Sequence, residues 1–353
     1  MNGPSKLDQR LTDLPPSIWE KITRIEALNG QWVGGARLGP QVLGRLKRSV
    51  LITSTGASTR IEGAKLSDED IEKLMRGISL QRFSDRDTQE VQGYYELLNN
   101  VFASWQRLRF SEGLIKHFHL ELLKYVDKDA QHRGDYKKQE NKVHMIDEAG
   151  KSVGILFDTT PAYLTPFEMT HLVEWTQLAF EGNSHHPLLL IGAFLVQFLQ
   201  IHPFQDGNGR LSRILTNLLL LKAGYTFMPY VSHEKIIEDN KAEYYLALRQ
   251  SQKTFNQASE TIVPWLTFFL EVVLEQARNA LALLSAEQIE RLLSPRQLEV
   301  WRYMQRVEEV TPKELAEELH IPRPTINQVL NRLIELGEIE RLGLGRGTRY
   351  RLK

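Results

Sequence analysis

His202-Pro203-Phe204-Gln205-Asp206-Gly207-Asn208-Gly209-Arg210-Leu211-Ser212-Arg213 leads from one strongly apolar stretch, Pro187–Ile201, into another that runs to Lys222. Its reading decides the rest of the chain. Gly207, Asn208 and Gly209 are small or tolerant of left-handed backbone, and they stand at a helix start. Backbone N–H groups there can turn towards an anion, and the helix dipole favours negative charge. Arg210 and Arg213 are three apart, so they can share one face of the first turn and grip neighbouring phosphates. Two cations in a first turn oppose the dipole, so their placement calls for an anionic partner. Asp206 beside bound phosphates suits Mg²⁺, which takes one or two protein carboxylates and completes its shell with phosphates and water. His202, with an ordinary pKa near neutrality, can take a proton from an attacking hydroxyl. Phe204 reads as a core anchor for the loop. The residues together describe a nucleotide phosphate cradle with a metal ligand and a base.

Working outward, the periodicity is mainly helical. Pro187–Ile201 and Gly209–Lys222 are apolar nearly all round, as in central buried helices. Apolar residues recur at three- and four-residue spacing over Thr88–Arg107, Gly113–Val126 and Pro166–Phe180. Ser67-Asp68-Glu69-Asp70 is a capping box that opens a helix through Met75. Ser17–Leu28 predicts a short helix and Pro40–Ser54 another, with a Gly-rich loop over Gly30–Gly39 between them. Lys142–Phe157 breaks the helical rule. Val143 and Met145, then Val153, Ile155 and Phe157, alternate around Glu148-Ala149-Gly150 and predict a β-hairpin.

The chain has 353 residues, which at about 150 per domain predicts two domains. Lys plus Arg and Asp plus Glu are both 44, so the chain as a whole has no bulk attraction for nucleic acid or an anionic membrane. There is no cysteine, which excludes disulfides, thiolate metal sites and a thiol nucleophile. No apolar stretch is long enough to span a bilayer and the N-terminus lacks a signal-like core, so the expected setting is cytoplasmic with no membrane partner. His117 and His119 fall on different helix faces and His185-His186 lie in a loop, so neither pair has metal-ligand spacing.

HPFQDGNGRLSR matches the HPFx(D/E)GNGRxxR signature of the Fic (filamentation induced by cAMP) family at every specified position. The chain resembles that family more loosely over about residues 45–275, including Gly134-Asp135-Tyr136, Pro161–Met169 and Glu243-Tyr244-Tyr245. Lys137 departs from the pattern, which often has Arg there. The resemblance implies a helical core that transfers AMP from ATP to a Tyr, Thr or Ser hydroxyl of a protein and releases pyrophosphate. His202 would be the general base and Asp206 would hold Mg²⁺. Asn208 and the backbone of Gly207–Gly209 would form the anion hole. Arg210 and Arg213 would bind the β- and γ-phosphates, and Tyr244 would lie near the adenine. The hairpin resembles the family's flap, on which an extended target can add as a strand. Ile155, Leu156 and Phe157 are the candidate docking residues, the alternative being a purely structural hairpin.

Ser58-Thr59-Arg60-Ile61-Glu62-Gly63 fits (S/T)xxxE(G/N), the inhibitory-helix motif of Fic proteins. Ser58 and Glu62 are i and i+4 on one helix face. A carboxylate reaching Arg213 would occupy the guanidinium that the γ-phosphate needs, so low basal activity is expected.

The last sixty residues change character. Ser294-Pro295 opens one helix, Thr311-Pro312-Lys313-Glu314 a second over Pro312–Leu319, and a third spans about Pro324–Leu336. Gly337 closes it, and Ile339–Leu352 reads as strand, turn, strand. This is a winged helix-turn-helix. Lys and Arg only slightly outnumber Asp and Glu here. Arg323, Thr325, Asn327 and Gln328 on the recognition helix, and Arg346 and Arg349 on the wing, are candidate DNA contacts. The alternative is a module for dimerisation or target docking.

The expected architecture is therefore mainly α: a helical region over 1–110 with an inhibitory helix near 55–65, a Fic core over 111–284 with a small hairpin flap, and a winged helix over 294–353. The expected function is an autoinhibited adenylyltransferase using ATP and Mg²⁺ on a protein partner, with self-modification, homodimer formation and DNA binding as further candidates. The rivals are a DNA-binding regulator that uses the core as a ligand sensor, and transfer of another nucleotide or phosphocholine.

Overall fold

The computed structural model describes residues 5–35, 40–77, 85–146, 152–257, 259–343 and 348–352. The chain divides into two compact units at Leu281/Ala282. The first begins with α1 (Lys6–Gln9), α2 (Pro16–Gly35), α3 (Pro40–Ile61), α4 (Asp68–Met75), α5 (Asp85–Ser104) and α6 (Glu112–Leu122). A hairpin of β1 (Lys142–Ile146) and β2 (Ser152–Asp158) follows, then α7 (Thr165–Glu181), α8 (Pro187–Ile201), α9 (Asn208–Lys222), α10 (His233–Asp239), α11 (Lys241–Gln252) and α12 (Val263–Leu292), of which the residues up to Leu281 belong to the first unit. The fold is mainly helical, as expected. No helix among the described residues is long and apolar enough to cross a membrane.

The two most apolar helices are the centre. Almost every residue of α8 and α9 is buried, from Leu188 to Ile201 and from Asn208 to Leu221. The expected capping box of Ser67 and Asp70 forms and opens α4. The Gly-rich loop expected at Gly30–Gly39 does not begin where composition placed it, because α2 continues through Gly30 to Gly35. Trp32 explains the difference. It is 2% exposed, packs against Phe227 and Tyr230, and donates its indole N–H to Thr226 at 3.1 Å. Burying a side chain of that size outweighs the helix-weakening effect of the three glycines Gly30, Gly34 and Gly35.

The hairpin is antiparallel and pairs Lys142 with Asp158, Val143 with Phe157 and His144 with Ile155. A register shift between Val143 and His144 leaves Leu156 opposite no residue of β1. The side chains of Ile155, Leu156 and Phe157 lie outside the described residues.

The second unit contains α13 (Pro295–Met304), α14 (Pro312–Glu318), α15 (Arg323–Glu335), β3 (Ile339–Leu342) and β4 (Arg349–Leu352). The capping boxes of Ser294 with Gln297 and Thr311 with Glu314 both form. Val300, Trp301, Leu315, Leu330, Leu333 and Tyr350 are among the residues of its own core. Val310 pairs with Tyr350, and β3 pairs antiparallel with β4, which closes the wing on the helices. Arg323, Asn327 and Gln328 are exposed on α15, Thr325 is half-buried, and Arg349 is exposed within 3.6 Å of Glu309. Arg346 lies outside the described residues.

The close crossing of α5 over α6 supplies a stability test. A Cβ on Gly93 would collide with the backbone carbonyl of Leu122, which cannot rotate away as a side chain would. Gly93→Ala therefore has to push the helices apart and should destabilise the first unit by about 2 kcal/mol. An unfolding midpoint in urea equal to that of the wild type would contradict this packing.

Candidate active site

The 202–213 loop joins α8 to α9, so the two most buried helices fix its ends. His202 caps α8 in the left-handed region, with φ 51° and ψ 60°. Gly207 turns the chain into α9 at φ 78°, a conformation that favours glycine. Asn208 is 1% exposed and spends its amide on one residue. Its Oδ1 accepts from Phe204 N at 2.9 Å and its Nδ2 donates to Phe204 O at 2.7 Å. Its side chain thus holds the loop closed and does not face an open anion site. Phe204 is fully buried, in the anchor position expected.

The sequence brought His202, Asp206, Arg210 and Arg213 into one loop, and the structure gives each a different set of neighbours. His202 is half-buried, with Nδ1 3.4 Å from Leu199 O. Donation there leaves Nε2 with its lone pair free to act as a base. Burial, assisted by the nearby Lys137 ammonium, pushes its pKa down to about 4, so the ring is neutral at pH 7.

Arg213 is 2% exposed and meets α3. Its Nε donates to Ser58 Oγ at 2.7 Å, and Nη2 donates to Ser58 O at 2.9 Å and to Glu62 Oε1 at 2.6 Å. Burial alone would lower its pKa, but Glu62 outweighs burial and raises it. Glu62 sits in the turn just past the end of α3, where Glu62 N reaches Thr59 O. Its carboxylate also lies against the first turn of α9, because a Cβ on Gly209 would collide with Glu62 Oε1. An anion therefore already stands where the helix N-terminus and Arg213 converge. Arg213 Nη1 is buried without a hydrogen-bond partner, 3.5 Å from that Cβ position.

Arg210 points elsewhere. It is 2% exposed, with Nη1 2.7 Å from Glu90 and Nη2 3.2 Å from Asp206 Oδ2. Arg86 closes the ring, 2.7 Å from Glu90 and 2.8 Å from the same Asp206 oxygen. Burial would raise the Asp206 pKa, but Arg210, Gly207 N–H and Arg86 together hold it below the usual carboxylate range. Asp206 is thus an ionised oxygen donor beside the anion position. That suits a cation such as Mg²⁺, which draws most of its shell from phosphate and water. Among the described residues no cluster of three or more His, Asp or Glu offers an all-protein cage.

Tyr244, expected near the adenine, is 4% exposed inside a ring cluster with Trp265 and Phe268. Burial raises its pKa to about 12, and Arg213 and Ser212 are its polar neighbours. Tyr245 is half-buried, and its pKa is raised first by burial and then by the neighbouring Glu62.

Three groups escaped the sequence reading. His119 is 1% exposed, stacks on Phe204 at 3.8 Å, accepts from Gly134 N at 2.8 Å and donates from Nε2 to Asp206 O at 3.0 Å. Its signal was present in the sequence: a polar residue on the buried face of α6 with Ile115 and Leu122. Glu234 is fully buried behind Arg213, bound by Tyr94 and Asn217, and its position depends on tertiary contacts alone. Lys137, Asn141 and Thr159 hold the backbone on the His202 side.

The Fic/DOC family model matches residues 109–220, which include the whole of this loop. A Fido domain-containing protein of Dictyostelium discoideum is 34% identical over 107 residues, 28% of this chain and 68% of that protein. The chain belongs to the Fic/DOC family. A protein adenylyltransferase Fic of Drosophila mojavensis is 39% identical over 69 residues. That match covers 20% of this chain and only 12% of the fly protein's length. A crystal structure of a Fic family protein from Desulfovibrio desulfuricans G20 superposes with a TM-score of 0.62 at 24% identity, over 96% of this chain and 97% of that one. Residues 293–349 match the MarR family, so the Fic domain is followed by a MarR-type winged helix.

The buried His119 imidazole carries a pH consequence. Burial pushes His119 down to about 4, against about 6.5 for a free ring. A depressed pKa means that the unfolded chain binds the proton first as pH falls. The stability this group contributes is whole above about 6.5 and is lost between there and about 4, on the order of 3 kcal/mol for His119. Unfolding free energies measured across that window should show the slope, and His119→Gln should flatten it. An identical slope in the variant would mean that His119 is not held neutral.

Proposed function

We propose that the chain is a protein adenylyltransferase held in check by Glu62. The single observation that carries the proposal is the Glu62 carboxylate, lodged between the α9 N-terminus and the buried Arg213. A site that already holds an internal anion on a guanidinium and a helix end is suited to an anionic phosphate. The activity is supported by the adenylyltransferase names of relatives such as the Drosophila protein, and the nucleotide is read as ATP.

In this reading an acceptor hydroxyl of a protein attacks the α-phosphorus of ATP. Its proton passes to His202 Nε2, the P–O bond to the β-phosphate breaks, and pyrophosphate leaves. The neutral ring suits a base at pH 7. Arg213 and the first N–H groups of α9 receive the terminal phosphates once Glu62 withdraws. Arg210 acts through Glu90 and Asp206, holding the acidic side of the site in place. Asp206 would hold Mg²⁺, which supplies neutralisation of phosphate charge. Asn208 keeps the loop closed, Tyr244 backs Arg213, and the more open Tyr245 offers a face to the adenine. The helical region over 1–110 acts as the regulatory part of the first unit, with α3 as its inhibitory helix. The hairpin receives the acceptor segment, and the protein's own hydroxyls are a convenient first acceptor.

The brake works through nucleotide placement. With Glu62 on Arg213, ATP can enter but its terminal phosphate cannot take that guanidinium, so the α-phosphate is misaligned for attack. Intact-protein mass spectrometry after incubation with Mg²⁺ and ATP tests the scheme. Glu62→Gly should gain AMP about tenfold faster or more than the wild type. Adding His202→Ala should remove about 10²-fold or more of that gain. Equal labelling of all three proteins would sink both the brake and the base.

A second reading concerns the MarR-type unit. The exposed polar side chains of Arg323, Asn327 and Gln328 on α15 are the observation that favours DNA, with homodimer formation presenting two such helices to a palindromic site. Fluorescence anisotropy with duplex DNA should show binding that weakens with salt, and Arg323→Ala should lower affinity by about 1 kcal/mol or more. Salt-independent binding, or none, would leave this unit to protein contacts.

A further inference from the structure

The backbone just before and within the loop shows an unusual regularity on the hairpin side. Five successive carbonyls, from Gln200 to Phe204, are each met by a donor from the segments that bracket the hairpin. Thr160 N donates to Gln200 O at 3.3 Å, and Lys137 Nζ donates to Ile201 O at 3.0 Å. Asn141 Nδ2 reaches His202 O at 3.4 Å and Phe204 O at 2.9 Å, and Lys137 N donates to Pro203 O at 2.9 Å. Asn141 immediately precedes β1, and Thr159 and Thr160 immediately follow β2.

Lys137 is the knot of this lacing. It is 4% exposed, and its ammonium spends all three N–H groups. They go to Ile201 O, to Asn141 Oδ1 at 2.9 Å and to Thr159 Oγ1 at 3.0 Å. One side chain thus ties the start of the hairpin, its end, and the residue before His202. Burial lowers its pKa to about 8 with no carboxylate in hydrogen-bond contact, which marks a costly arrangement for anchoring alone. His202 meanwhile sits at φ 51°, a backbone state that a non-glycine residue keeps only where its surroundings over-determine it.

We infer that Lys137, with Asn141 and Thr159, is the positioning device that sets His202 for proton transfer and ties it to the hairpin that receives the acceptor. This rests on the proposed transfer reaction for its meaning, but the geometry can be tested without it. The anion side of the site, Arg213 with Ser58 and Glu62, shares no hydrogen bond with this lacing. Lys137 therefore acts on the base and leaves nucleotide affinity alone.

The experiment uses the full chain in the Glu62→Gly background, with Lys137→Met and the milder Thr159→Val. Calorimetry with ATP and Mg²⁺ should give affinities within about twofold of the parent, while self-modification by Lys137→Met slows about 10²-fold. Thr159→Val should slow it less, in the same direction, and carries the test if Lys137→Met does not fold. The charged groups that act on His202 are Lys137, Glu62 and Asp206. Removing the ammonium should raise the titration midpoint of His202, read by NMR of ¹³C-labelled histidine against a His202→Gln control. Rates and ATP affinities that fall together, or rates that do not change, would overturn the inference. If the Glu62→Gly parent transfers nothing, the proposed reaction fails. The NMR titration then still decides, and an unmoved His202 midpoint would reject Lys137 as its neighbour in charge.

Discussion

The buried charge on Arg213 constrains everything around it. A guanidinium that is 2% exposed, in the second turn of a helix and near its positive end, is tolerated only with an anion in contact. Glu62 is that anion, and its side chain keeps about a third of its surface in solvent. This asymmetry matters. The cation is locked in place by Ser58, whereas its counter-charge is held at a turn from which it can swing into water. Removing the carboxylate without replacement would leave an uncompensated buried charge, so the folded chain is poised to accept another anion at the same point.

A second charged group stands on the other side of α9, and its logic differs. Arg86, Glu90, Arg210 and Asp206 form a closed ring of two cations and two anions. Its inner members, Arg210 and Glu90, are nearly buried, whereas Arg86 and Asp206 reach solvent. The ring keeps Asp206 ionised although burial favours its neutral form. The two arginines of the loop are therefore not equivalent, although their spacing puts them on one helical turn.

That difference marks how far the sequence could be read. The loop and the central helices on either side of it were legible, because each is encoded by short-range spacing and strong apolar runs, whereas the contact between Glu62 and Arg213 joins distant parts of the chain and was anticipated only through the resemblance to Fic proteins. The capping boxes at Ser67 and Thr311 and the helix start at Ser294-Pro295 were legible for the same reason. The continuation of α2 to Gly35 was hidden, since Trp32 acts through residues some two hundred positions away. The partners of Arg210, the clasp of Asn208 on Phe204 and the burial of Tyr244 were hidden as well. A motif states which residue types gather, but only packing decides which of them face outward. His119 lies between these cases: its position on an apolar face was visible, but its two hydrogen-bond partners were not.

Under the proposed function, the separation of the two sides of the loop would let the site be restrained without being dismantled. Glu62 engages Arg213 and the α9 N-terminus, and no hydrogen bond joins it to His202. The neutral ring and left-handed backbone of His202 rest mainly on burial and on the donors around Lys137 and Asn141, with Glu62 only a smaller charge acting on the ring. A brake that acted on His202 would have to be rebuilt at each release, with a strained backbone conformation lost and regained. A brake that acts on the anion site exchanges one negative group for another on a guanidinium that needs one in either state. Under the proposed function, the free-energy difference between restrained and open forms would then be the difference between two anions on the same cation.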